Sequence, residues 1–283
     1  MNVRAFGPTG RSFCVVGQGT WNIPTRGAQV EEAREALRTG IDLGLVHVDS
    51  AEMYGAGQAE EIVREAVAGI RRESLFIVTK VLPQNATYRG TIEACEASLR
   101  RLGTDYLDVY LLHWLGSHPL RETMRALERL VDDGKIRALG VSNFDVDDLE
   151  RAASFLERHP IACNQVLYHL LERGVERRLI PYCRERNIAV VGYSPFGSGD
   201  FPSSRSPGGR VLADVAQRYG ASERAVALAF LTRLDGTFTI PKAAHVEHVR
   251  DNARGAEITL DAEATERIGS AFPLPPHGPL AML

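Results

Sequence analysis

The chain of 283 residues contains no run of about 18 uncharged apolar residues, the length a membrane-crossing helix needs. Its opening, Met1-Asn2-Val3-Arg4-Ala5-Phe6-Gly7-Pro8, lacks the apolar core of a secretory signal. The expectation is a soluble, cytoplasmic protein with no membrane partner. Cysteine is scarce and scattered: Cys14, Cys95, Cys163 and Cys183 form no CxxC pair and have no histidine at metal-ligand spacing. That argues against a disulfide framework and a zinc site, and for ordinary buried thiols in a reducing compartment. His245 and His248 are spaced for one helix face but have no third ligand, so no metal is expected. The net charge is only -3, with both signs interspersed. This leaves no basic footprint for nucleic acid and no acidic disordered tail. The partner to expect is a small molecule, and the protein itself a monomer or weak oligomer.

What the chain does have is a rhythm. Val3 to Phe6 and Ser12 to Val16 flank the turn residues Gly7-Pro8-Thr9-Gly10, predicting a hairpin. From Val16 onward short apolar runs alternate with longer amphipathic ones. Strands are expected to end at Asp49, Lys80, His113, Val141, Gln165, Tyr193 and Ile240. Helices are expected over 29–43, 58–67, 91–101, 120–131, 146–156, 175–186, 211–219, 223–234, 245–253 and 262–271. The stretch Phe196 to Arg210, rich in Gly, Ser and Pro, reads as a surface loop, because the rhythm resumes after it. Leu75-Phe76-Ile77-Val78-Thr79-Lys80 is too apolar to have a wet face, which fits a strand covered on both sides. Eight strand–helix steps predict one α/β domain spanning 1–283, a (β/α)8 TIM barrel with an N-terminal β-hairpin and extra helices near the C-terminus. The competing architecture, a doubly wound open sheet, usually carries GxGxxG after its first strand. Gly17-Gln18-Gly19-Thr20-Trp21-Asn22 fails at the last glycine.

In such a barrel the strand ends and the loops after them share one face, where active sites lie. Asp49, Tyr54, Lys80 and His113 all fall there. Taken singly, each has an ordinary structural explanation: a turn acid, a core phenol with a wet tip, a solvated amine, a satisfied core histidine. Together they form a chemical set. A phenol with an unperturbed pKa of about 10 is a poor acid near neutrality, and an adjacent ammonium is expected to lower that value. Asp49 would keep Lys80 charged and oriented. Tyr54 and His113 would then bind and protonate an oxygen gaining negative charge.

With these residues stand Gly17-Gln18-Gly19-Thr20-Trp21, Asp49-Ser50-Ala51-Glu52-Met53-Tyr54-Gly55, Thr79-Lys80 and Leu107 to Trp114. Gly140-Val141-Ser142-Asn143-Phe144, Asn164-Gln165, Tyr193-Ser194-Pro195 and Ile240-Pro241-Lys242 follow in order. In this combination the chain resembles the aldo-keto reductase superfamily over nearly its whole length, as a bacterial-type member with a short C-terminal tail. The resemblance implies a catalytic tetrad of Asp49, Tyr54, Lys80 and His113, with Tyr54 as general acid. It also implies an extended nicotinamide dinucleotide. Ser142, Asn143 and Gln165 would hold its carboxamide, Tyr193 would stack under its ring, and Ser194, Phe196 and Gly197 would lie beside the pyrophosphate. Gly19, Thr20, Trp21, Asp49 and Ile240 would border the cofactor, Lys242 and His248 would meet its adenosine phosphate, and Asp251 and Asn252 its adenine. Trp21, Tyr54, Leu82, His113 and Trp114 would form the substrate pocket.

Two departures from the family pattern matter. Ala243 and His248 stand where many NADPH-preferring members have Ser and Arg, although Lys242 and Arg250 still supply positive charge. NADP(H) is therefore the preferred expectation, with NAD(H) also possible. The tail after Ala271 is short, which predicts an open pocket and weak substrate selection. The resulting expectation is an NAD(P)H-dependent reductase of aldehydes or ketones. The alternatives are a non-catalytic nicotinamide-binding sensor or structural protein on the same barrel, and a lyase using Lys80 as a Schiff-base amine.

Overall fold

The structure is a computed structural model that describes residues 1–276 and 278–283. Strands β1 (Val3–Ala5) and β2 (Ser12–Cys14) form the expected antiparallel hairpin. Eight parallel strands follow: β3 (Gln18–Gly19), β4 (His47–Asp49), β5 (Phe76–Val81), β6 (Leu107–Leu112), β7 (Ile136–Ser142), β8 (Ile161–Leu167), β9 (Ala189–Tyr193) and β10 (Thr237–Thr239). They are hydrogen-bonded in sequence order from β3 to β10. Parallel bridges from Val16 to Thr239 and from Gly19 to Lys242 bring the two edges together. Gly17 N–H donates to Thr239 O at 2.8 Å, and Gly19 N–H to Pro241 O at 3.1 Å. Glycine is required at this seam: a Cβ on Gly19 would lie 2.6 Å from Ile240 O.

The helices are α1 (Gln29–Asp42), α2 (Gln58–Ala66), α3 (Tyr88–Leu102), α4 (Leu120–Asp132), α5 (Val146–Ala153), α6 (Leu179–Glu185), α7 (Pro207–Tyr219), α8 (Glu223–Leu231), α9 (Val246–Gly255) and α10 (Ala262–Ala271). Several helix boundaries differ from the sequence expectation, with α5 ending at Ala153 and α8 at Leu231, and three have a local reason. Helix α3 begins early because Thr87 caps it, accepting from Gly90 N at 3.0 Å. Helix α7 begins inside the stretch read as loop, since Ser206 caps it and Pro207 fits its first turn. Helix α6 is short: Gly174–Glu176 makes a separate 3-10 turn before it.

The hairpin plugs the barrel at the N-terminal ends of the strands. Phe6 packs against Phe13, Phe76 and Phe238 with ring centroids 5.4, 4.9 and 4.9 Å away. Buried strand residues such as Val48, Ile77, Leu112 and Val141 pack with helix residues such as Leu37, Val63, Leu99 and Leu127 in the main core. A separate cluster from α7, α8 and α10, including Leu212, Phe230 and Ile268, holds the C-terminal helices together. Among the described residues no helix is long and apolar enough to cross a membrane. Sealing one end of the barrel leaves its opposite end, where the strands finish, as the place for chemistry.

Candidate active site

Asp49 ends β4, Lys80 lies near the end of β5, and His113 follows β6, so the parallel register brings them to one end of the barrel. Tyr54 reaches the same place from the 3-10 turn after β4. Lys80 Nζ donates to Asp49 Oδ1 at 2.5 Å, to Ser50 O at 2.7 Å and to the Tyr54 hydroxyl at 3.4 Å. Gln165 Nε2 donates to the other Asp49 oxygen at 2.7 Å. The His113 ring meets the Tyr54 ring edge-on, with centroids 5.8 Å apart.

The electrostatics follow from this packing. Burial alone would strip Lys80 of its proton, but the Asp49 carboxylate and the Tyr54 oxygen outweigh it and raise the amine above its usual value. The Lys80 side chain is 0% exposed. An amine that is both protonated and unreachable is a poor Schiff-base nucleophile. For Tyr54 the expected downward shift is not what the structure gives. Burial raises the phenol above its ordinary value, with Lys80 pulling the other way and Asp49 adding to the rise. Tyr54 is therefore held as a protonated phenol in the free protein. Burial, reinforced by the Lys80 charge, pushes His113 down to about 2, so its imidazole is neutral. Its Nδ1 is buried without a partner, leaving Nε2 as the ring nitrogen open to the cavity.

These groups sit in a cavity of about 380 Å³. Gly19, Thr20, Trp21 and Asp49 line one side of it; Trp114 extends the wall beside Tyr54 and His113. Ser142, Asn143, Gln165, Tyr193 and Ser194 line the opposite side, with Ile240 and Lys242 at the β10 edge. Tyr193 OH donates to Asn143 Oδ1 at 2.9 Å, and Asn143 Nδ2 to His113 O at 3.2 Å. Ser142 Oγ donates to Gln165 O at 2.9 Å. Hydroxyl and carboxamide groups thus converge beside an aromatic ring, a donor–acceptor set suited to a nicotinamide carboxamide.

Other expected residues lie outside this cavity. Leu82, expected in the substrate pocket, does not line this cavity. β5 ends at Val81, and Glu52 Oε1 accepts from Leu82 N at 2.6 Å and Asn85 Nδ2 at 3.0 Å, turning the chain away. Phe196 and Gly197 are in the loop after β9; His248, Asp251 and Asn252 are on α9. His248 is exposed and lies against His245, while Asp251 Oδ2 accepts from Ser222 Oγ at 2.6 Å.

Three residues of the cavity wall were not anticipated: Met53, from the segment before Tyr54, and Met282 and Leu283 from the tail. The end of the tail reaches the barrel mouth, where Met282 and Leu283 join the cavity wall while remaining largely exposed. Arg173 donates to Phe272 O, and Arg177 Nε to Pro275 O at 2.8 Å, anchoring the tail's start. Leu283 N–H donates to the Tyr193 hydroxyl at 3.5 Å. His277, part of the tail as read from sequence, lies outside the described residues.

Residues 15–272 match the model of the Aldo/keto reductase family. The chain belongs to this family. It is 43% identical over 264 residues to methylglyoxal reductase YeaE of Escherichia coli, covering 93% of each chain. It is 36% identical over 238 residues to a glyoxal reductase of Bacillus subtilis, covering 84% of this chain and 82% of that one. Among solved structures, an aldo-keto reductase from Klebsiella pneumoniae in complex with NADPH superposes with a TM-score of 0.91 at 39% identity, over the full length of both chains.

Proposed function

We propose that this aldo-keto reductase uses NADP(H) to reduce small aldehydes and ketones, with α-dicarbonyls such as methylglyoxal as the substrate class, and that Tyr54 is its general acid. The observation that carries the reading is the buried Asp49–Lys80 pair set against the Tyr54 hydroxyl, with a neutral His113 beside it. Relatives that reduce methylglyoxal and glyoxal, and a structural neighbour bound to NADPH, support the substrate class and the cofactor.

The donor set fits the cofactor. Ser142, Asn143 and Gln165, which line the cavity, would hold the carboxamide, and Tyr193 would present its ring to the nicotinamide. Gly19, Thr20, Trp21 and Ile240 border the ring and its ribose, and Ser194, Phe196 and Gly197 the pyrophosphate. Lys242 and His248 serve the adenosine phosphate, Asp251 and Asn252 the adenine. Helix α9 has no side-chain cap, so N–H groups of its first turn remain available to a phosphate. When bound, the nicotinamide would supply the hydride that reduces the carbonyl carbon.

The protein handles the oxygen. As charge grows there, the Tyr54 O–H transfers its proton, and the resulting phenolate is stabilised by the Lys80 ammonium. His113 Nε2–H donates a hydrogen bond to the same oxygen and orients the carbonyl. Asp49 acts only through Lys80, keeping it charged and aimed. Trp21, Trp114, Met282 and Leu283 would offer the substrate an apolar wall.

The test is NADPH consumption, followed by absorbance, with methylglyoxal, glyoxal and an aromatic aldehyde. Tyr54→Phe should abolish turnover while leaving cofactor affinity close to wild type. Absence of turnover in wild type across these carbonyls, despite NADPH binding, would defeat the reading.

A further inference from the structure

Arg224 occupies the second position of α8, where a cation faces the positive end of the helix dipole. No carboxylate offsets it: among the described residues it makes neither a hydrogen bond nor an ion pair. Its guanidinium instead lies over two rings, 4.9 Å from the centroid of Phe201 and 5.7 Å from that of Phe196. Those rings meet edge-on, 5.8 Å apart, and belong to the loop that follows β9 and Ser194. An exposed arginine ordinarily moves freely, whereas this one rests on an aromatic platform.

A second contact fixes where the platform faces. Ser222 caps α8 and donates from Oγ to Asp251 Oδ2 at 2.6 Å, joining the start of α8 to α9. Arg224 therefore stacks on the loop proposed for the pyrophosphate, two residues from the α8 cap that is bonded to the helix proposed for the adenine. On α9 the cationic position is filled by His248, which lies 3.8 Å from the Glu247 carboxylate and whose ring packs on His245.

We propose that Arg224 binds the 2′-phosphate of the dinucleotide and is a determinant of NADPH over NADH. This rests on the cofactor placement proposed above. A guanidinium presents two parallel N–H donors to phosphate oxygens, and stacking on Phe196 and Phe201 holds that fork in place before the ligand arrives. An anion there also relieves the unfavourable position of a cation at a helix N-terminus.

The experiment is titration of NADPH, NADH and 2′,5′-ADP into the full chain, its Arg224→Gln variant and its Arg224→Lys variant, by calorimetry. Arg224→Gln should weaken NADPH and 2′,5′-ADP by about ten- to hundredfold, the range for a hydrogen bond between charged groups, and leave NADH unchanged. Arg224→Lys should recover much of the loss. Unchanged NADPH affinity in Arg224→Gln, or equal weakening of NADPH and NADH, would overturn the assignment. Failure of the wild type to bind either dinucleotide would instead refute the cofactor placement.

Discussion

Lys80 Nζ lies 2.5 Å from Asp49 Oδ1, and neither side chain is more than 2% exposed. Desolvating both charges is costly, and the pair is viable because Ser50 O and Gln165 Nε2 satisfy groups the two charges leave over. Removing one partner is then worse than removing both. Asp49→Asn should destabilise the fold by about 3–5 kcal/mol, the usual effect of stranding a buried charge, or force Lys80 to lose its proton. Chemical denaturation measures this, and the Asp49→Asn/Lys80→Met double variant should regain much of the stability. A single variant as stable as wild type would mean that the ammonium finds another partner.

Burial of the phenol beside this pair should set the pH dependence of turnover. As the proposed general acid, Tyr54 would have to be protonated to act in reduction, and burial raises its pKa above the ordinary phenol value. Reduction should therefore be flat through neutral pH and decline only as pH rises through that raised value. His113, pushed down to about 2, stays neutral and contributes no acid limb between pH 5 and 9. A rate profile for kcat with an inflection near 6.5 that disappears in His113→Asn would contradict this account of the imidazole.

Much of this arrangement was legible in the sequence because strand ends carry a fixed meaning in a parallel barrel. An acid, an amine and an imidazole that finish successive apolar runs must share a face, however far apart they are in the chain. Less legible was anything decided by the balance of two opposing effects. That Lys80 stands next to Tyr54 could be inferred from residue order. That burial outweighs its charge on the phenol could not, since burial is a property of the packed structure. Helix ends moved where a single cap, Thr87 or Ser206, competed with the apolar period. The Leu82 backbone is diverted by Glu52, a contact between two loops with no periodic signature. The tail's place in the cavity wall was not legible, because length alone does not say where the anchors Arg173 and Arg177 direct it.

Acid stability depends on a residue outside the chemistry. His47 is fully buried among Phe6, Phe13 and Phe76, and neither ring nitrogen has a partner. Burial, with the Lys80 charge adding to it, lowers its pKa from 6.5 to about 3. The unfolded chain takes up this proton below pH 6.5 and the folded chain does not. The stability is therefore fully present above pH 6.5 and lost as pH falls towards 3. His113 follows the same sign, so the two together remove about 2.7 kcal/mol per pH unit, twice the single-proton value of about 1.36. His47→Leu should gain about 1–3 kcal/mol at neutral pH by removing unpaired polar atoms, and its advantage should widen as the solution is acidified. Urea denaturation of both proteins at pH 7 and pH 5 checks this; a constant difference would show that His47 titrates normally in the folded state.

Substrate size should be governed by the end of the tail. Met282 and Leu283 complete the apolar wall of a 380 Å³ cavity that, under the proposed function, would also receive the nicotinamide, leaving little room around the carbonyl. Their hold on the barrel at this point is weak, a 3.5 Å hydrogen bond from Leu283 N–H to the Tyr193 hydroxyl. The stronger anchors, at Arg173 and Arg177, lie towards the start of the tail and do not depend on either side chain. A Met282→Ala/Leu283→Ala variant should therefore fold as wild type while losing part of the wall. Its kcat/KM for methylglyoxal should fall, and that for a bulky aromatic aldehyde should rise. Apolar pocket contacts discriminate by about 10–200-fold at most, so a shift in the ratio of several-fold is expected. An unchanged ratio would place the substrate away from the tail, against the Trp21 and Trp114 side of the cavity.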